Sequence, residues 1–155
     1  MNTTVGIRIG DDRDRAFILD LGDRTVMDSV SSLRDAIPGM VKVSFERLVD
    51  FVYSQSHVVL IAEDEGKPCG FLLLLDGMPD EVTLAPQAFV AYMAVEPPAR
   101  RKGIATALLE HAERIARERG LPCIAMMVTE ENENARRVYE RAGFLTERRL
   151  MCKPL

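Results

Sequence analysis

An α/β fold built on a mixed sheet is predicted by two observations on the sequence. The first is a pair of apolar, strand-length runs, Val58 to Ala62 and Cys69 to Leu75, separated by the turn EDEGKP, which favours antiparallel pairing. The second is the succession of strand, helix, strand, helix and strand after residue 88, which favours parallel pairing. With 155 residues and no internal repeat or linker, residues 1–155 read as a single domain. A chain that is 47% hydrophobic and 28% charged has globular rather than disordered composition.

The elements follow in order. VGIRIG (5–10) reads as a short first strand. Ala16 and Leu19 lie at helical spacing before Gly22, predicting a helix near 12–21, and a second helical stretch near 26–36 ends before Pro38. In SFERLVDFVYSQ (44–55), Ser44 is an N-cap candidate, and Phe45, Leu48, Val49 and Val52 make a helix face. After the hairpin, MPDEVTLAPQ reads as a loop with two prolines. AFVAYMAV (88–95) is apolar on both faces, as a central strand must be, and ends at the prolines of EPPAR. The strongest helix follows Gly103: Ile104, Leu108, Leu109, Ala112, Ile115 and Ala116 form one stripe, with Gly120 as the stop. PCIAMMV (122–128) reads as a buried strand, ENENARRVYERAG (131–143) as a shorter helix, and FLTERRLMCKPL as a final strand.

Several function classes are excluded. A net charge of -4 argues against nucleic acid as a partner. The longest apolar runs are strand-sized, far below the ~20 residues that cross a membrane. The N-terminal MNTTVGIRIGDDRDR lacks the basic-then-apolar plan of a leader. Cys69, Cys123 and Cys152 are widely spaced and odd in number, which predicts free thiols, no metal site and a cytoplasmic location.

One stretch stands out. In VEPPARRKGIATALL, Arg100, Arg101 and Lys102 precede Gly103 where a helix begins. A helix N-terminus already carries free N–H groups and partial positive charge, so added cations are unfavourable there unless an anion binds. Gly103 allows close backbone approach, Ala105 is small, and Thr106 offers a hydroxyl. Taken alone, the pattern fits a phosphate cradle or a solvated charged turn before an ordinary helix. It matches neither a P-loop nor G-x-G-x-x-G.

Arg100-x-x-Gly103-x-Ala105, after Val95-Glu96-Pro97, resembles the acetyl-CoA signature of the GNAT superfamily of N-acetyltransferases. A second stretch, NENARRVYERAGF, resembles the superfamily's N-x-x-A-x-x-x-Y-x-x-x-G-F at Asn132, Ala135, Tyr139, Gly143 and Phe144. The two motifs cover residues 88–144 in the family's order. The resemblance implies a mixed, mostly antiparallel sheet of six to seven strands with about four helices, its fourth and fifth strands splayed. It implies acetyl-CoA as cosubstrate and no metal. The amides of Arg101, Lys102, Gly103, Ile104, Ala105 and Thr106 would cradle the pyrophosphate, with Arg100 in the first motif position. The main chain of Met93, Ala94 and Val95 would pair with the pantetheine arm, and one of those amides would stabilise the oxyanion. Asn132 would contact the CoA arm, and Tyr139 would protonate the leaving thiolate. Read from chemistry alone, a phenol is protonated at neutral pH and can donate to sulfur, or Tyr139 simply packs on its helix.

The sequence departs from the family where the acceptor amine must lose a proton. AFVAYMAV holds no acid, and the position five residues before Asn132 is Met127. The remaining carboxylate candidates are Glu130 and Glu131, then Glu63, Asp80 and Glu81. Tyr92 could reach an acceptor pocket or pack, while His57 and His111 read as structural or surface. The acidic residues at 20–35 and 76–81 fit a cationic amine such as a polyamine, an aminoglycoside or a lysine side chain, and fit an ordinary solvated loop equally well. Only residues 145–155 follow Phe144, which predicts one long strand or two short ones and a homodimer through that segment. A non-catalytic acyl-CoA sensor with the same fold is the competing reading.

Overall fold

The computed structural model describes residues 5–155. Residues 1–4, the start of the stretch read for a leader, lie outside the described residues. Five strands form one sheet in the order β1-β2-β3-β4-β5. They are β1 (Val5–Ile9), β2 (His57–Asp64), β3 (Lys67–Pro79), β4 (Pro86–Val95) and β5 (Ile124–Met126). The first three pairings are antiparallel and β4–β5 is parallel. The helices are α1 (Arg15–Thr25), α2 (Pro38–Ser54), α3 (Ile104–Glu118) and α4 (Glu133–Arg141).

The sheet is buried on both faces, which is why its strands read as unbroken apolar runs. Val59, Ile61, Phe71 and Leu73 face α1 and α2, meeting Ile18, Leu21, Phe45, Val49 and Val52. Their neighbours Val58, Leu60, Leu72 and Leu74 face the other way, meeting Ile104, Leu108, Leu109 and Ala112 of α3. No helix of the described residues is long and apolar enough to cross a membrane.

Five expectations are corrected. The first helix runs through Gly22 to Thr25 instead of stopping there. Gly22 is a packing notch: a Cβ there would lie 1.9 Å from Phe45 Cε1, so the ring of α2 fills the space a side chain would take. The second helix near 26–36 is only a 3₁₀ turn at Val26–Ser29. Pro38 starts α2 in its first turn rather than ending a helix, and Ser44 lies inside α2. The strand at 122–128 contracts to Ile124–Met126.

The last correction concerns strand count. Residues 145–155 form no strand, so among the described residues the sheet has five strands and not six or seven. Leu145 and Leu150 are five apart with four polar residues between, so in a strand they would point to opposite faces and define no apolar side. Both remain exposed, as does Met151.

Candidate active site

The centre of the site is the break between β4 and β5. β5 pairs with β4 only at Ala88, Phe89 and Val90, although β4 continues to Val95. A bulge causes the divergence. Leu74 pairs with Val90 and Leu73 with Tyr92, leaving Ala91 without a partner. An extra residue bends and twists its strand. The alternation breaks there: Ala91 and Tyr92 both pack toward α1 and α2, while Val90 and Met93 pack toward α3.

The bulge leaves a free edge. Glu96 N–H donates to Cys69 O at 2.7 Å, continuing the β3–β4 ladder. In an antiparallel pair alternate residues face the partner, so Ala94 and Tyr92 also turn their polar groups to β3. The main chain of Met93 and Val95 therefore points into the gap left by β5. Of the three residues expected to line a pantetheine arm, Met93 presents N–H and C=O there, Val95 presents its N–H while its C=O accepts from Arg100 Nε, and Ala94 presents neither.

The gap ends at the start of α3. A 3₁₀ turn at Pro97–Ala99 reverses the chain, and Arg101 and Gly103 then adopt left-handed φ values of 67° and 76°. Arg101 has a Cβ, so that conformation costs roughly 1–2 kcal/mol. Among the described residues, no N–H from Arg101 to Thr106 donates to a protein acceptor, and the first helical bond is Ala107 N–H to Gly103 O. Unpartnered amides in a run at a helix N-terminus can hold an anion. The space that a Cβ on Gly103 would enter is empty of protein. These unpartnered donors and the adjoining free edge fit a pyrophosphate with an extended arm.

The basic side chains divide their roles. Arg100 Nε donates to Val95 O at 3.2 Å, tying the cradle to the free edge. Lys102 Nζ lies 4.0 Å from Asp64 on the neighbouring hairpin.

The second motif is a helix held by two caps. Asn132 Oδ1 accepts from Ala135 N–H at 3.3 Å, the N-cap bond of α4. At the other end Gly143 has φ 94°, its N–H donates to Glu140 O, and Phe144 N–H donates to Tyr139 O. That is a Schellman cap, and its hydrophobic contact is the Tyr139–Phe144 ring pair. Asn132 thus spends its side-chain oxygen on the helix, leaving only its NH₂ for a ligand. Tyr139 packs against the same cluster as Met93 and Val95. Its hydroxyl has no protein partner among the described residues. Burial, with a lesser effect from the nearby Tyr92, pushes its phenol above the ordinary value, so it is protonated at neutral pH.

The carboxylates considered from sequence are engaged elsewhere. Glu63 binds Arg8 at 2.5 Å, and Asp80 and Glu81 bind Arg148 at 2.5 and 2.8 Å. Glu130 meets Arg136 at 3.4 Å. Glu131 accepts from Ser32 N–H, Ser32 Oγ and Ser31 Oγ, and the first of these contacts does most to hold its carboxyl below the usual range. Two polar pairs at the site are not evident from sequence. Glu96, next after β4, forms a two-pronged pair with Arg24 at 2.6 and 2.9 Å. Tyr92 Oη lies 2.9 Å from Thr25 Oγ1. Both join residues about 70 positions apart, and no local spacing encodes them.

Comparison with known proteins agrees with this geometry. The model of the acetyltransferase (GNAT) family matches residues 31–144. The uncharacterized N-acetyltransferase MJ1207 of Methanocaldococcus jannaschii is 32% identical over 84 residues, 54% of this chain and 37% of that protein. The uncharacterized N-acetyltransferase YhfO of Bacillus subtilis is 32% identical over 91 residues, 59% of this chain and 60% of that protein. The aligned region therefore spans less than two thirds of either curated relative. A solved Pyrococcus furiosus protein, an acetyl transferase by name, superposes with TM-score 0.82 at 25% identity, covering 98% of this chain and 100% of that one.

Proposed function

The chain belongs to the acetyltransferase (GNAT) family, and on that premise we propose that it moves an acetyl group from acetyl-CoA to a primary amine of a small molecule or peptide. The observation that carries this reading is the run of unpartnered amides from Arg101 to Thr106, set beside the free edge of β4. Bound acetyl-CoA supplies an activated thioester. The amides of residues 101–106 hold the pyrophosphate in the positive end of the α3 dipole. Met93 and Val95 offer main-chain groups to the arm, and an N–H on that edge stabilises the oxyanion formed when the amine attacks directly in a ternary complex. Tyr139 gives its hydroxyl proton to the departing thiolate, while the proton released by the amine nitrogen passes to solvent, from which the phenol regains its own. The NH₂ of Asn132 is left to contact the arm. The rate comes chiefly from orientation and electrostatic stabilisation.

One observation favours the alternative of a non-catalytic acyl-CoA sensor: Glu96 and Glu131 are both engaged, leaving neither free as a base. A panel of amines incubated with acetyl-CoA, read by thiol release, separates the two readings. Turnover of an amine supports transfer, and tight CoA binding with silence across the panel supports the sensor. The same reading includes a homodimer through residues 145–155, whose Leu145, Leu150 and Met151 are exposed. Sedimentation showing a monomer at micromolar concentration overturns that part alone.

A further inference from the structure

Tyr92 follows the bulged Ala91 and stands on the α1/α2 face of the sheet, opposite the face on which Tyr139 packs. Its ring is fixed between Phe45 and Phe71, with centroids 4.8 and 5.9 Å away. Its hydroxyl lies 2.9 Å from Thr25 Oγ1, and the direction of that bond follows from Thr25. Thr25 Oγ1 lies 2.9 Å from Leu21 O, with Gly22 O at 3.4 Å, so its one proton goes back to its own helix. Only lone pairs remain on Thr25 for Tyr92, so the phenol is the donor. Burial raises the Tyr92 phenol above its ordinary value, and the proton it donates is present at neutral pH. A phenol with its proton committed offers nothing but lone pairs to any further partner.

Ser29 is one such partner, its side chain lying within hydrogen-bonding reach of the phenol, and the route to the site points to a second. The amide cradle opens at the N-terminus of α3, on the α3/α4 face, so a cosubstrate arm reaches the β4 edge from that face. The acceptor must come from the other, where Tyr92 stands. That approach is framed by the segment after α1, which is fastened to the far side of the gap. Thr129 Oγ1 donates to Ser29 O at 2.5 Å, and Glu131 binds Ser31 and Ser32.

We infer that Tyr92 holds the acceptor: its oxygen, made acceptor-only by Thr25, takes an N–H of the amine and aims the nitrogen at the β4 edge. Thr25 is the positioning residue that acts through it. The inference rests on the amine-transfer reading above.

The test uses the full chain with acetyl-CoA and three probes: spermidine, kanamycin and a short lysine peptide with a free amino terminus. Wild type is compared with Tyr92→Phe, Thr25→Val and Thr25→Ser. Loss of one hydrogen bond in Tyr92→Phe raises the KM for the amine about tenfold, while the KM for acetyl-CoA stays within about twofold. Thr25→Val frees the phenol proton to point at the amine and raises the amine KM in the same direction. Thr25→Ser restores it. A merely packing role would lower the melting temperature and leave the amine KM unmoved. An amine KM in Tyr92→Phe within about twofold of an active wild type overturns the inference and leaves the amine-transfer reading standing. A wild type that acetylates none of the probes fails that reading, and the inference falls with it.

Discussion

The rings of Tyr139 and Phe144 meet edge to face with centroids 6.1 Å apart, while Phe144 N–H donates to Tyr139 O at 3.0 Å. Both contacts belong to the cap of α4 and neither uses the Tyr139 hydroxyl. Tyr139→Phe is therefore expected to keep the cap and CoA affinity while lowering kcat by about 10²–10³. Steady-state kinetics beside a CoA titration check this. Unchanged turnover removes Tyr139 from the reaction.

The same phenol sets a pH dependence. Burial raises it above its ordinary value of 10.0, and the acid role needs the protonated form. Activity carried by Tyr139 is thus complete at neutral pH and is lost only as pH rises through that raised value. The kcat profile should show an alkaline limb above pH 10.0 that Tyr139→Phe lacks. A limb near pH ~8 would belong to another group.

Gly103 combines a φ of 76° with open space outside the chain. Gly103→Asp places a carboxylate where the pyrophosphate is proposed to sit and should abolish CoA binding in calorimetry while the far-ultraviolet spectrum is kept. Gly103→Ala adds about 1–2 kcal/mol of backbone strain and should weaken CoA binding less severely. Full affinity in Gly103→Asp would move the anion site elsewhere.

Gly22 is tested by stability. In Gly22→Ala the new methyl must displace the Phe45 ring, which is buried and packed on Tyr92. Overpacking of this kind costs about 1–3 kcal/mol, so thermal unfolding should begin several degrees lower. An unshifted midpoint would show that α1 and α2 separate freely.

Glu131 fastens the segment after α1 to the segment after β5. Its carboxyl is held below the ordinary 4.5, chiefly by Ser32 N–H. The sign is that of a depressed acid: the hold is complete above 4.5 and is lost as pH falls through the lower value. Hydrogen exchange at Ser32 should be slow at neutral pH and faster in Glu131→Ala. Equal exchange in the two proteins contradicts the fastening.

What could be read from the sequence divides along physical lines. The α3 stripe, the hairpin and the Gly103 turn were legible because each is a local pattern with a strong period or a marked stop. Both motifs were legible too, and the structure gives the second a mechanical reason: Asn132 and Ala135 form one cap, and Tyr139, Gly143 and Phe144 the other. Gly22 and Pro38 misled because each has two meanings. A glycine ends a helix or admits a neighbour's ring, and a proline stops a helix or opens one. The Tyr92–Thr25 and Glu96–Arg24 pairs could not be read, since they join residues brought together only by packing of α1 against β4. The tail beyond Phe144 has enough alternation to suggest a strand but lacks a consistent apolar face.

The central claim is that the amides at 101–106 and the free edge of β4 form one binding surface for CoA. Titrating ¹⁵N-labelled protein with CoA and following each backbone amide tests it most directly. The largest, saturable shifts are predicted at Arg101 to Thr106 and at Met93 and Val95. Saturable binding that leaves those amides unmoved, or no binding, would contradict the account.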